Sequence, residues 1–239
     1  MKLVGEYTYK LTSAHYSLFR ELKPYGYFDM FQDMASKHAE SLNVDYDTLF
    51  PKGIIWVLAR VKYEMINKIT PGMKIVGKTW PHPSGRFDSI RDYLLLDESG
   101  NIMAKGSSLW CLVNFNNGRL LPTNVAPIEG DFYEESVFEN KLEKISYDEN
   151  KLVELGSYKV VLSDIDWNGH MNNAKYTEVV FNLLSKEEAR ILKGMEVNYL
   201  LQMFLDEEMA LKGYRNEKEI IIVGYKGEHA CFIAKCILD

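Results

Sequence analysis

The residues best suited to chemistry crowd into fourteen positions, "SDIDWNGHMNNAKY" at 163–176, where Asp164, Asp166, Asn168, His170, Asn172 and Asn173 sit directly ahead of helical spacing. In extended or loop backbone, residues two apart point to one side, so the Asp166 carboxylate, Asn168 carboxamide and His170 imidazole can converge on one pocket. The start of the following helix offers N–H groups and the positive end of a dipole. Acyl transfer requires such a set: a group to orient and deprotonate water, and donors for an oxyanion. Asn172 and Asn173 read instead as helix caps or packing groups, and Gly169 as the residue that permits a tight turn.

The elements that must position this cluster occur twice. At a gapless offset of 149, Tyr9-Lys10 meets Tyr158-Lys159, Tyr27 meets Tyr176, and Ser36-Lys37 meets Ser185-Lys186. Val61 and Tyr63 then match Val197 and Tyr199, Met73 matches Met209 and Gly77 matches Gly213 at an offset of 136, and Ala104-Lys105 matches Ala234-Lys235 at 130. Ordered matches with a shrinking offset describe a diverged duplication with shorter loops in the second copy. Each copy predicts one amphipathic helix, over 25–42 and 171–185, packing Tyr27, Phe28, Phe31, Met34 and His38, or Tyr176, Val180 and Leu183, on one face. Strand-like runs follow, "IIWVLARVKYEMI", "MKIVGKTW", "SIRDYLLLD" and "IMAKGSSLWCLVNF" in the first copy and "MEVNYLLQMFL", "MALKGY", "EIIIVGYKG" and "ACFIAKCIL" in the second. The expected class is α+β, each unit a long helix wrapped by an antiparallel sheet, with units at 1–125 and 155–239 and an acidic linker at 126–154.

In this register Asp166 faces Ser17, Asn168 faces Phe19 and His170 faces Glu21, so the polar cluster exists in one copy alone. Side chains needed only to enter a helix should recur in both, which favours chemistry at the second.

Composition narrows the rest. With 46% hydrophobic and 26% charged residues the chain is globular, and a formal charge of −6 argues against a general nucleic-acid binder. No apolar run approaches a membrane span, and "MKLVGEYTYKL" lacks the apolar core of a signal peptide, so a cytoplasmic location is expected. Cys111, Cys231 and Cys236 show no zinc or redox spacing and read as reduced, apolar strand residues. His15, His38, His82 and His229 form no metal-binding pattern; neither metal nor cofactor is expected.

"DIDWNGHMNNAKY" resembles the D-x-N-x-H-x-N-N-x-x-Y signature of acyl-acyl carrier protein thioesterases of the plant and bacterial type. "IIWVLARVKYEMINKITPGMKIVGKTWP" and "GRFDSIRDYLLLDESGNIMAKGSSLWCLVNFNNGRLLP" are similar to that family's N-terminal domain, so the likeness spans nearly the whole chain. The resemblance implies a tandem (double) hotdog fold and an active site in the C-terminal domain. There Asp166 would anchor or activate water, Asn168 would hold the thioester carbonyl or the nucleophile, and His170 would share in proton transfer. Gln202 falls where many members carry a Glu on the strand after the second helix, and Met203 where some carry Cys. A neutral amide cannot take a proton, which leaves Asp166 or His170 as base. With Met203 in place of Cys and no G-x-S-x-G elbow, direct attack by water is expected rather than an acyl-enzyme.

The resemblance places the acyl chain mainly in the N-terminal domain, with Phe28, Phe31, Met34, Trp56 and Trp110 as candidate pocket residues. The expected partner, acyl carrier protein, is acidic, and Arg60, Lys62, Lys68, Lys74 and Lys78 are the candidates for a basic docking patch. Rival readings are an acyl-coenzyme A thioesterase, a hydratase or dehydratase on the same scaffold, and a non-catalytic acyl-thioester binding protein. A tandem copy can supply the partner that a lone hotdog domain needs, so monomer and homodimer both remain open.

Overall fold

The computed structural model describes residues 3–239. Chain order runs β1 (Gly5–Lys10), α1 (Pro24–Ser41), α2 (Tyr46–Leu49), β2 (Ile54–Met65), β3 (Lys74–Pro81), β4 (Ser89–Leu96), β5 (Ile102–Asn114) and β6 (Leu120–Leu121). The second half follows with β7 (Val153–Lys159), α3 (Asn173–Asn182), α4 (Lys186–Arg190), β8 (Leu192–Tyr199), β9 (Glu208–Arg215), β10 (Glu219–Lys226) and β11 (His229–Leu238).

The strands form one antiparallel sheet in the order β1-β3-β4-β5-β2-β8-β11-β10-β9-β7, with β6 paired to β5. This order is a palindrome of equivalents. Its centre is the β2–β8 pair, where Val61 lies opposite Val197, the same two residues that the repeat equates. A pseudo-two-fold axis therefore passes between them, as in an isologous dimer held in one chain. Each helix has the wrapping sheet expected of it, and the two sheets also pair edge to edge through β2 and β8, which leaves no edge strand open at the middle.

The 149-residue register is reproduced in three dimensions. A short 3₁₀ turn spans Ser13–His15 and Leu162–Asp164, an isolated bridge joins Tyr16 to Leu22 and Ile165 to Met171, and the helices begin at Pro24 and Asn173. Helix α1 packs Tyr27, Phe28, Phe31 and Met34 on the sheet, with Phe31 stacked on Tyr93 at a centroid distance of 4.4 Å and Tyr27 on Tyr63 at 4.2 Å. Met195, Val197, Phe232, Ala234 and Cys236 continue the same core beneath α3, so Cys231 and Cys236 do pack as apolar strand residues.

Three expectations need correction. The second helix stops at Asn182 rather than 185, because Ser185 and Glu188 form a reciprocal capping box that starts α4 afresh. Ser185-Lys186 thus sits at a helix start while Ser36-Lys37 lies inside α1. The run "MEVNYLLQMFL" is strand only to Tyr199; Leu200, Leu201, Phe204 and Leu205 are exposed in a loop. The stretch 126–154 is no loose tether. Its chain crosses the sheet face opposite the helices, fixed where the Trp80 indole donates to Glu135 O (2.9 Å), Val137 N–H to Asp92 (3.0 Å), Arg60 to Leu142 O (2.9 Å) and Ile145 N–H to Asn198 (2.8 Å). Leu142 and Ile145 are buried, and β7 already begins at Val153. No helix among the described residues is long and apolar enough to cross a membrane.

Candidate active site

The loop 165–171 is a tight turn closed on itself. Asp166 N–H donates to His170 O at 2.9 Å and Gly169 N–H to Asp166 O at 3.0 Å, with Gly169 at φ 80°, where a glycine is easiest to hold. The Asp166 Oδ1 accepts from the backbone N–H of Asn168 (2.8 Å) and, more weakly, of His170 (3.4 Å). Asn172 caps α3 by accepting from Ala174 N–H at 2.8 Å, and Asp164 accepts from the Tyr158 hydroxyl and Val161 N–H. Ala174 and Lys175 N–H groups are both taken by Asn172, so two of the donors at this helix start, expected to favour an oxyanion, are already occupied. Among the described residues, neither the Asn168 amide nor the His170 ring has a hydrogen-bond partner; the ring stands edge-on to that of Phe204 at 5.0 Å.

These free groups line a cavity of about 580 Å³ between the two halves, with Asp166, Gln202, Tyr176 and Tyr199 from the C-terminal half and Trp56 and Trp110 from the N-terminal half. The indole N–H groups are spent elsewhere, on Val44 O (2.9 Å) and the Ser108 hydroxyl (2.8 Å), so apolar ring surface remains for a guest. Trp167, 85% exposed, stands at the mouth with its ring 5.9 Å from that of Tyr46.

The first copy builds the same turn without the chemistry. Ser17 N–H donates to Glu21 O (2.8 Å), Arg20 N–H to Ser17 O (2.9 Å), and the Ser17 hydroxyl accepts from Phe19 N–H (3.2 Å), with Arg20 at φ 60°. Asp166 therefore does carry an architectural task, one that serine performs in its twin, contrary to the expectation that such a task would leave the same residue in both copies. Anchoring is shared as well: Met171 N–H reaches Met203 O at 2.8 Å and Leu22 N–H reaches Ile69 O at 3.0 Å. By that correspondence Glu21 stands for His170 and Lys68 for Gln202. Glu21 and Lys68 form an ion pair at 2.5 Å, so a neutralised salt link occupies the twin of the reactive position.

The remaining candidates divide. Phe28 and Phe31 border only a small void of about 10 Å³, and Met34 is fully buried against Gly77; all three are core. The large cavity runs along the adjacent face of α1, past Gln32, Ala35, Ser36 and Ala39, so the apolar helical stripe marked the sheet contact rather than the guest's side. The five basic residues do not form a free patch. Arg60 is bound to the connector, the Lys62 ammonium sits 3.7 Å from the Phe138 ring centroid, and Lys68, Lys74 and Lys78 face Glu21, Glu98 and Glu6. Opposed carboxylates cancel most of their reach into solvent.

Tyr176, Tyr199 and Arg91 also line the cavity and were missed. Arg91 could have been found by parity, since Ser89, Arg91, Tyr93 and Leu95 alternate onto one face of β4 and a cation there breaks an inward apolar row. Its Nη1 donates to His38 Nδ1 at 2.8 Å, which requires a neutral imidazole with that nitrogen bare. Burial first, then the Arg91 charge, pushes the His38 imidazole down to about 4. An unfolded chain, with its histidine near about 6.5, then binds a proton between those values that the folded chain refuses. Stability present at neutral pH is thus expected to fall as the pH drops from about 6.5 toward 4. Urea unfolding of wild type and His38→Gln across that range checks it: the variant's curve should be the flatter. No group of three or more His, Cys, Asp or Glu among the described residues is placed to hold a metal ion.

Comparison with known proteins fits this geometry. Residues 5–133 match the acyl-ACP thioesterase N-terminal domain and residues 147–230 the corresponding C-terminal domain. A chloroplastic acyl-[acyl-carrier-protein] hydrolase of Cuphea viscosissima is 27% identical over 72% of this chain and 45% of its own length, and a chloroplastic palmitoyl-acyl carrier protein thioesterase of Arabidopsis thaliana is 28% identical over 63% and 39%. The matched part thus spans less than half the length of these relatives. Among solved structures, an acyl-ACP thioesterase from Bacteroides thetaiotaomicron superposes with a TM-score of 0.88 at 21% identity, covering 99% of this chain and 98% of that one. The 12:0-ACP thioesterase from Umbellularia californica gives 0.84 at 20% identity, covering 100% and 98%. The fold is the double hotdog that the sequence led us to expect, and the chain belongs to the acyl-ACP thioesterase family.

Proposed function

We propose that the protein hydrolyses the thioester of fatty acyl-acyl carrier protein, releasing a free fatty acid and the carrier's thiol. The observation that carries this reading is the meeting of Asp166, Asn168, His170 and Gln202 on one cavity whose far walls are the rings of Trp56 and Trp110. The acyl chain lies along the indole faces, and the carbonyl is presented to the polar loop.

Water adds to the carbonyl carbon as its proton passes to the His170 ring, histidine being the side-chain type that exchanges protons near neutrality. Asp166, fixed through Oδ1 by the turn, keeps its other oxygen to hold that water. The carbonyl electron pair moves to oxygen, where the Asn168 amide, and Gln202 from the loop after β8, offer neutral N–H donors. Collapse of the adduct breaks the C–S bond, and the proton held by His170 goes to the departing thiolate. Gln202 orients but takes no proton.

Release of free thiol from acyl chains of graded length, carried on acyl carrier protein or on coenzyme A, tests the proposal. Faster turnover of the carrier-protein substrates supports it. Equal rates on both would favour the coenzyme A reading, and an intact thioester altered at its β-carbon would favour a hydratase.

A further inference from the structure

A chain-binding cavity should be apolar at depth, yet here the wall holds a cation. Arg91 is 6% exposed, and lines the same cavity as the reactive loop together with Ser89, 5% exposed, two residues earlier on the same strand face. Arginine is almost never so buried unless an anion accompanies it. No carboxylate reaches it among the described residues. Asp92, next in the chain, turns to the opposite sheet face, to His82 (2.8 Å) and Val137 N–H (3.0 Å). The contacts that Arg91 does make, to His38 Nδ1 and the Thr79 hydroxyl (3.3 Å), use Nη1 alone and are both to neutral groups. The last-turn position of His38 puts the negative end of α1 nearby, which offsets part of the charge. Glu40, Asp45 and Asp47 belong to the same cavity, but none of them pairs with the guanidinium.

Position completes the picture. Ser89, two residues from Arg91 on the same face of β4, lies opposite Trp110 and Trp110 opposite Leu58, all three lining the cavity, and β2 pairs in turn with β8, so three strand spacings, roughly 14 Å, separate the strand of Arg91 from the one that leads to Gln202. A chain whose carbonyl sits at the reactive loop and whose body runs across these strands ends at Arg91.

We propose that this cavity selects acyl chains bearing an oxygen acceptor, a hydroxyl or a carboxylate, at the distal end, held by the Arg91 guanidinium. The inference deepens the thioesterase reading and rests on it. A methyl-ended chain would strip water from the guanidinium and give nothing back; a terminal oxygen restores the lost hydrogen bonds, with charge assistance for a carboxylate.

The test uses acyl carrier protein loaded with chains of equal length ending in methyl, hydroxyl or carboxyl, and the matching free acids in calorimetry. Wild type is expected to favour an oxygen-ended chain over methyl by about tenfold or more in kcat/KM, and Arg91→Met to lose at least that preference, with Arg91→Lys retaining part of it. A wild type that turns over methyl-ended chains best overturns the inference. So does an Arg91→Met variant, unchanged in melting temperature, whose three rates fall alike. If no thioester is cleaved at all, the hydrolase reading fails by itself, and the wild-type calorimetry still decides: tighter binding of the oxygen-ended acid upholds the Arg91 subsite, and equal or weaker binding removes it.

Discussion

Asp166→Ser is expected to give a folded protein whose turnover has dropped by about 100- to 10,000-fold. The substitution is chosen because Ser17 occupies the equivalent place and caps the same turn with its hydroxyl, accepting from Phe19 N–H as Asp166 accepts from Asn168 N–H. Serine at 166 keeps the turn and removes the carboxylate. Asp166→Ala removes both and should add a loss of about 1 kcal/mol of stability to the loss of rate. Asn168→Ala and His170→Ala, which remove no side-chain hydrogen bond and, for His170, only the edge-on contact with Phe204, should leave melting nearly unchanged and reduce turnover into the same range. Thiol release and thermal melting of all four variants decide the matter. Wild-type rates in Asp166→Ser and His170→Ala would reduce the cluster to a turn motif and send the search for the base elsewhere.

The second large effect is on stability. Gly77 and Gly213 are equivalents in the duplication, but a side chain would meet different obstacles at each. A Cβ at Gly213 would fall 2.3 Å from the carbonyl oxygen of Ile221 and 2.9 Å from Leu155 Cδ1; at Gly77 it would fall 2.4 Å from Met34 Sδ. Backbone in a sheet cannot step aside without breaking its ladder, whereas a thioether can change rotamer. Gly213→Ala should therefore cost about 3 kcal/mol and Gly77→Ala about 1 kcal/mol. In melting temperature the first corresponds to a fall of about 6–12 °C. Equal losses in both variants would mean that the strand at Gly213 yields as readily as a methionine does.

Much of this was legible in the residues because duplication leaves a register, and a register can be read without coordinates. The matches at Tyr9, Tyr27 and Val61 located both helix starts and, unexpectedly, the axis of the whole molecule, since Val61 and Val197 face each other across it. What periodicity could not supply was which face of a helix meets sheet and which meets empty space. Phe31 and Ala35 are neighbours on α1; the larger is core and the smaller lines the cavity. Small residues beside a cavity carry no pattern of their own, and a buried cation such as Arg91 stands out only once the strand's inward parity is fixed. The basic residues misled for a related reason. Their carboxylate partners, Glu6, Glu21 and Glu98, lie far off in the chain or across a turn, and linear spacing shows charge without its counter-charge.

The connector between the halves was read as a tether, yet it grips the sheet on both sides of the β2–β8 seam, at Asp92 and Arg60 on one side and Asn198 on the other. The helices bridge the same seam from the opposite face. A single proteolytic nick ahead of Glu135 would thus sever the backbone while the fragments stayed locked together, and the cavity, walled by both, would survive the cut. Covalent continuity in this molecule serves to bring the two halves together at synthesis, and non-covalent grip is what keeps them so.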